Sequence, residues 1–521
     1  MQLELAADVE TVASVSRLKA FAASRDGRAR THSTKIVWYD SPEHALLQDG
    51  LTLAEQRGAW RLERIAPGVQ TWLPAQPVPI VTEEPDRTIL PAPLAPLAAF
   101  DGRQTTSVHV FGGHPVTVTV AKGVLRAVTA EQPVARIWLS GDAQAVREAA
   151  VLVAGALPVA VPLASLAAEG IALATGRPAA PRHAGAPILP HQALLHQALL
   201  HQPLAHQAGA ALATEPLALA GALAHILGHL IDVILAQAHI AVRMNQDAPE
   251  AIHQMRVAVR RARSALSIFR PAVQAGALDD VGASLKQLAD LLGPNRDWDV
   301  FVDETAPGIQ QALPHDERLN RLIAAAARRR TECQKILTAY LDSPAFRMLG
   351  IELACFASAD FWHKPALAGE SEDNQPPPLL EFAGQVLQHR WKKLLSSGKR
   401  IEELDIPSLH GVRLRAKRTR YAAEIFAPLH QDARLHHGAR LHHGKAAHRF
   451  IRRLSVLQQR LGVLNDGAVA THLLEELGGA GGRHAYATGL VIGFMAARAA
   501  KMRPGIVRAF EKLRRQPVYW T

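Results

Sequence analysis

The sequence predicts an α+β chain of two domains, an N-terminal antiparallel β domain of barrel or sandwich type and a C-terminal all-α domain built from a duplicated unit. Three observations carry this. Runs rich in β-branched and aromatic residues, separated by turn signals, fill residues 1–140. From about residue 209 to 515 the hydrophobic pattern is helical throughout. Within that second stretch, two segments repeat each other at a constant offset of 157 residues.

The elements follow in order. Residues 35–39 (KIVWY) predict a strand that ends at the turn signal Asp40-Ser41-Pro42. Residues 108–111, 116–120 and 134–139 predict further strands, with turns at Gly112-Gly113 and Lys122-Gly123, and 142–156 predict a helix. Residues 1–175 form the first domain. Residues 176–208 read as a linker, because Pro178, Pro181, Pro187, Pro190 and Pro203 break any helix there. Its pentads, HQALL, HQALL and HQPLA, would advance a helix by about 140° each, so His191, His196, His201 and His206 share no face and suggest repeat expansion rather than a metal site. Residues 209–515 form the second domain, with one copy of the repeat at about 209–365 and the other at about 379–515. Breaks are expected near Gly293-Pro294, Pro307, Pro314, 369–378, Pro407 and 478–482. A second duplication, RLHHGA then RLHHGK at 434–445, predicts a lengthened loop.

Length and composition suit two soluble globular domains: 521 residues, 48% hydrophobic and 20% charged. Two cysteines, Cys333 and Cys355, make no disulfide or metal framework and fit a reducing cytoplasm. No basic start followed by an apolar run marks a secretory signal. Residues 217–235 are very apolar but contain His225, His229 and Asp232, so a buried helix is expected rather than a membrane span. Charge is uneven. Residues 1–240 carry 17 Lys+Arg against 19 Asp+Glu, whereas 241–521 carry 41 against 28, so the second half holds the anion-attracting field.

The repeat gives that field a shape. Residues 252–269 read IHQMRVAVRRARSALSIF and 409–426 read LHGVRLRAKRTRYAAEIF. His253 matches His410, Arg256 matches Arg413, Arg260 matches Lys417, Arg261 matches Arg418, and Arg263 matches Arg420. A second matched block follows each: LLGPNRDWDV and RLGVLNDGAV, in which Gly293, Asp297 and Val300 match Gly462, Asp466 and Val469. On a helix, His253, Arg256, Arg260 and Arg263 fall within an arc of about 80°, as do His410, Arg413, Lys417 and Arg420, with Arg261 and Arg418 flanking them. Like charges stacked this closely repel. The alternative reading is a solvated basic face, or arginines paired with acids on neighbouring helices. Duplication of the whole pattern favours an anion site, for which the planar guanidinium fork is suited. A histidine among cations resists protonation, so it is expected to be a neutral donor or packing group.

These same two blocks resemble the CHAD family, the conserved-histidine α-helical domains, over about residues 210–515. The resemblance implies two helical bundles related by a pseudo-two-fold axis around a basic groove. It also implies binding of inorganic polyphosphate by His253, Arg256, Arg260, Arg261, Arg263, His410, Arg413, Lys417, Arg418 and Arg420, and association with cytoplasmic polyphosphate granules and other granule proteins. No cofactor is implied.

Residues 1–175 resemble a CYTH domain, the triphosphate tunnel fold, through TKIVWYDSPEHALLQDGLTL and SLAAEGIAL. The resemblance implies a closed antiparallel barrel, with carboxylates for a divalent metal and basic residues for phosphates. Here the opening acidic pattern falls at Gln2, Glu4 and Ala6, the basic strand at Ala54 and Gln56, the later acidic strand at Arg136 and Trp138, and the Ser-Lys pair at Ser165-Leu166. The domain is therefore a degenerate member, expected to be non-catalytic and without a metal.

Polyphosphate binding is the expected function. The alternatives are a metal-dependent inorganic triphosphatase using the N-terminal domain, and nucleic-acid binding. The latter is disfavoured, because no tryptophan lies inside either basic stripe to stack a base. No membrane partner is expected.

Overall fold

The structure is a computed structural model that describes residues 1–48, 50–65, 81–83, 85, 90, 92–177, 179, 218–243, 248–273, 275–362, 377–430 and 443–520. The HQ pentads with their four histidines, the 369–376 stretch and the RLHHG repeats up to residue 442 lie outside the described residues. The chain divides into two compact units. The first comprises Met1–Met244, Phe269–Ser284 and Tyr340–Asn374, and the second Asn245–Ile268, Leu285–Ala339 and Gln375–Thr521.

The first unit is built on an eight-stranded antiparallel sheet. Its strands are β1 (Gln2–Ala7), β2 (Arg25–Asp40), β3 (Leu51–Gln56), β4 (Ala59–Arg64), β5 (Val81–Glu83), β6 (Ala95–Phe111), β7 (His114–Ala127) and β8 (Glu131–Gly141). Their order is β1-β8-β7-β6-β2-β3-β4-β5. The expected barrel is not closed: among the described residues no ladder joins β1 to β5, so the sheet is open with those two strands as edges. A helix packs on one face of the sheet. Helix α5 (Leu166–Thr175) is capped by Ser165, whose hydroxyl accepts from the Ala168 amide. It lays Leu166, Ala167 and Ile171 on Trp38, Ala98, Phe100, Ala121 and Leu125 of the sheet, forming a core cluster. The short helices of this half are α1 (Val9–Ser14), α2 (Lys19–Ala23) and α3 (Ala45–Gln48). Helix α4 (Ala143–Ala156) starts at Asp142, which accepts from the Gln144 and Ala145 amides, and packs on β6, β7 and β8.

The predicted turn at Lys122-Gly123 is instead the middle of β7. Gly123 pairs with Gly102 of β6. A Cβ on either glycine would collide with the facing backbone, so the two glycines mark a close approach of adjacent strands rather than a reversal. The Gly112-Gly113 turn does form, with both residues at positive φ. Further along the chain, α6 (Leu219–Arg243) buries most of its apolar side chains within this unit. It is long and apolar enough to cross a membrane by length and composition. Helix α11 (Pro344–Cys355) belongs to the same unit and packs on α4 and α6.

The second unit is helical. Along the chain the helices are α7 (Ala248–Phe269), α8 (Ala275–Asp299, which belongs to this unit from Leu285 on), a π-helical turn (Val300–Thr305), α9 (Ala306–Ala312) and α10 (Glu317–Leu341, up to Ala339). The second half supplies α12 (Leu379–Ser397), α13 (Ile406–Phe426), α14 (His443–Glu476) and α15 (Ala485–Arg514). Asp405 caps α13 by accepting from the Ser408 amide, and Pro407 sits in its first turn, where no amide hydrogen is needed. The break expected at Gly293-Pro294 does not occur: Pro294 lies inside α8. Side chains supply donors to carbonyls beside it. Asn295 Nδ2 donates to Leu291 O (3.0 Å) and Arg256 Nη1 to Gly293 O (3.3 Å). A core of Trp298, Phe301, Leu319, Leu322, Leu473, Val491 and Met495 joins helices from both copies of the repeat.

Candidate functional site

The site begins with the burial pattern of α7. Ala251, Met255, Ala258, Val259, Ala262 and Ala265 recur at helical spacing and are buried. This fixes the rotation of the helix, and His253, Arg256 and Arg260 come to rest half-buried beside that seam. In α13, buried Leu409, Val412, Ala416 and Thr419 do the same for Arg413 and Lys417. A cavity of about 150 Å³ opens where the two helices, α8, the π turn and α14 meet. Its polar lining is His253, Arg256, Arg260 and Arg413 from the two stripes, with Arg296, Asp297, Asn465 and Asp466 from the second repeated block. Phe301, Ala470 and Leu473, which belong to the core cluster, also line it.

The cations differ in how they are held. Arg256 is clamped: its Nη1 donates to Asp297 Oδ1 at 2.7 Å. Arg260 and Arg413 each bury an Nε that has no hydrogen-bond partner among the described residues. Burial lowers the pKa of both guanidinium groups, although they remain charged. Lys417 is also half-buried, and burial, followed by the charges of Arg260, Arg413, Arg256 and Arg420, pushes its ammonium down to about 7. His253 is held below the ordinary histidine range, first by burial and then by Arg296, which fits a neutral imidazole. Burial raises the pKa of Asp466 against the opposing pull of Arg413.

Other residues of the two stripes lie elsewhere. Arg261 Nη2 donates to Glu424 Oε2 at 2.8 Å, and Arg420 Nε approaches the other oxygen of the same carboxylate at 3.6 Å. Arg263, His410 and Arg418 are exposed and do not line the cavity. The structure therefore brings His253, Arg256, Arg260 and Arg413 to one pocket with Lys417 in their field, and leaves His410 outside it. Four lining groups, Arg296, Asp297, Asn465 and Asp466, were not singled out as site residues in the sequence. The signal was present, since Asp297 and Asp466 occupy the same register of the repeat. Tyr421 was missed too. It is buried with Arg261, Lys417 and Arg420 at 5.4–5.9 Å from its ring centre, which gives the cations a π face but offers no exposed stacking platform.

In the first unit, Glu4 is the one acid remaining at the positions expected to hold a metal. Arg136 is buried and its Nε lies 3.0 Å from Glu4 Oε1, while its other arm pairs with Glu169. An arginine thus already neutralises the carboxylates there, and these residues do not fit a divalent metal.

The chain is similar to several known proteins. Two uncharacterized proteins of Mycobacterium tuberculosis are 29% and 28% identical over 182 residues, which is 34% of this chain and 34% of theirs. The chain thus matches about a third of the length of these relatives. Among solved structures, the CHAD domain from the plant Ricinus communis is 27% identical, with a TM-score of 0.44 over 58% of this chain and 94% of that one. PptA from Streptomyces chartreusis is 15% identical, with a TM-score of 0.39 over 56% of this chain and 99% of that one. The family model of the CHAD domain matches residues 218–475, a range that holds both basic helices and both aspartates of the pocket, and this part of the chain is a CHAD domain.

Proposed function

We propose that this protein binds inorganic polyphosphate, with the pocket between α7, α8, α13 and α14 as the anchor of the chain. The observation that carries the reading is the convergence of Arg260 and Arg413, one from each copy of the repeat, on one cavity with buried and unpartnered Nε groups. Buried donors without acceptors are costly, and a polyanion with oxygens at regular spacing satisfies several of them at once. The two copies are read as halves related by a pseudo-two-fold axis, with the phosphate chain running along both stripes, and the protein as one that associates with polyphosphate granules in the cytoplasm. The N-terminal sheet is read as a degenerate CYTH scaffold, and triphosphatase activity is disfavoured by the Arg136 pairing with Glu4 and Glu169. The test is a titration of the full-length protein with polyphosphates of defined length, in competition with single-stranded RNA. Micromolar or tighter binding that RNA does not displace supports the reading. Preference for RNA, or failure to bind polyphosphate, overturns it.

A further inference from the structure

The four cations whose charges bear on Lys417 are all arginines. Arg256 and Arg260 reach it from α7, and Arg413 and Arg420 from its own helix. The acids nearby serve other groups. Asp297 pairs with Arg256, Glu424 with Arg261 and Arg420, and Asp466 faces Arg413. Arg390 of the adjacent α12 donates to the Arg418 carbonyl. Tyr421 presents its ring to Lys417 at 5.9 Å and supplies no charge. Among the described residues Lys417 has no ion pair. Repulsion within such a cluster can be relieved by loss of a proton, and guanidinium groups do not lose theirs. Lysine alone can do so, and the duplication makes the contrast within one molecule, because the matching position in the first copy is Arg260.

We propose that Lys417 couples anion binding to protonation: standing beside the pocket in the field of the arginines that line it, it is largely neutral above neutral pH and takes up a proton when a polyanion enters. This rests on the polyphosphate reading of the site. The ammonium, already depressed to about 7, shifts back toward its ordinary value once phosphate oxygens neutralise the surrounding arginines. Linkage then requires that binding weaken as pH rises between the two values, by up to about tenfold per pH unit. The pocket holds the anion at neutral pH and releases it in alkali, while Arg260 in the same cluster keeps a constant charge.

The experiment is calorimetry of the full-length protein with long-chain sodium polyphosphate at about pH 8, in buffers of different ionisation enthalpy, for wild type and Lys417→Arg. Long chains make terminal phosphate protons negligible, and at that pH His253 is already neutral in both proteins. In parallel, acylation of Lys417 in the free wild-type protein is followed against pH by mass spectrometry. The expected result is uptake of close to one proton per site by wild type and far less by the arginine variant, with Lys417 acylation inflecting near neutrality. Equal uptake by both proteins, or binding by wild type with no uptake, overturns the coupling while the polyphosphate reading stands. Absence of any binding removes that reading and the coupling with it. An acylation profile inflecting where an exposed lysine does also overturns the inference, whether or not the arginine variant folds.

Discussion

At the scale of single residues, the pocket trades stability for charge, and two changes expose that trade. Among the described residues Arg260 and Arg413 have no carboxylate at hydrogen-bonding distance, so their removal is expected to cost binding more than folding. Charge-assisted bonds to phosphate contribute about 1.5–3 kcal/mol each. The double change Arg260→Ala with Arg413→Ala is therefore expected to weaken polyphosphate binding by about 2–5 kcal/mol while the melting temperature stays level or rises. A loss of affinity matched by a large loss of melting temperature would show that both are structural. Asp299 makes the complementary case. It is buried at the start of the π turn, one of its oxygens has no hydrogen-bond partner among the described residues, and burial, opposed by Arg330 and Arg296, raises its pKa to about 6. The folded state thus holds this proton more tightly than the unfolded chain does. Its stability contribution is present at low pH and is lost as pH rises from about 4 through about 6. Asp299→Asn keeps the shape without the charge and is expected to raise stability at neutral pH by roughly 1–3 kcal/mol, with little effect at about pH 4. Thermal melts across that range check the sign, and a variant that loses stability at neutral pH would refute it.

At the scale of elements, periodicity and composition could be read ahead of the structure, and interactions between distant segments could not. The helix at 142–156, the basic helices and the breaks at Pro407 and 478–482 all follow from local rules, and all are present. Lys122-Gly123 misled because a glycine next to a polar residue has the same local signature in a turn and at a strand crossing. Only the partner strand, with Gly102 at the same register, distinguishes them. Pro294 misled because tertiary packing overrides its local cost: Leu292 and Trp298 of the same helix are fully buried on either side of it. The same limit applies to the stripes. Helical geometry placed Arg263 and His410 on the arc of the site, but tertiary packing sets which part of an arc faces the cavity. The glycine pair offers a direct test. Gly123→Ala places a Cβ against the backbone of Asp101 and Gly102, and is expected to destabilise the first unit by about 1–3 kcal/mol. Denaturation followed through Trp38, which is buried in the core on that sheet, reads this out, and an unchanged midpoint would show that the strands can separate at no cost.

For the whole molecule, the separation of charge between the two halves of the sequence decides how it meets a polyanion. The first 240 residues are nearly neutral and the rest carry the excess of cations. Binding should then be governed by counterion release, with log affinity falling linearly against log salt at about 0.7 per phosphate contact, taking single-stranded nucleic acid as the guide. Four cations, Arg256, Arg260, Arg296 and Arg413, line the pocket and Lys417 stands in the field of three of them, which gives a slope of about −3 to −4 for a short chain confined to it. On the proposed reading, a long chain that leaves the pocket along the stripes gains a contact from each of exposed Arg263, Arg415 and Arg418. Its slope is therefore expected to be steeper by about 2 than that of tripolyphosphate on the same protein. Charge reversal at the exposed positions, Arg263→Glu with Arg415→Glu and Arg418→Glu, should return the long chain to the slope of the short one while leaving tripolyphosphate affinity within about threefold. Equal slopes for short and long chains on the unaltered protein would confine recognition to the pocket. A slope shallower than about −2 for both would mean that these cations are not the main contact.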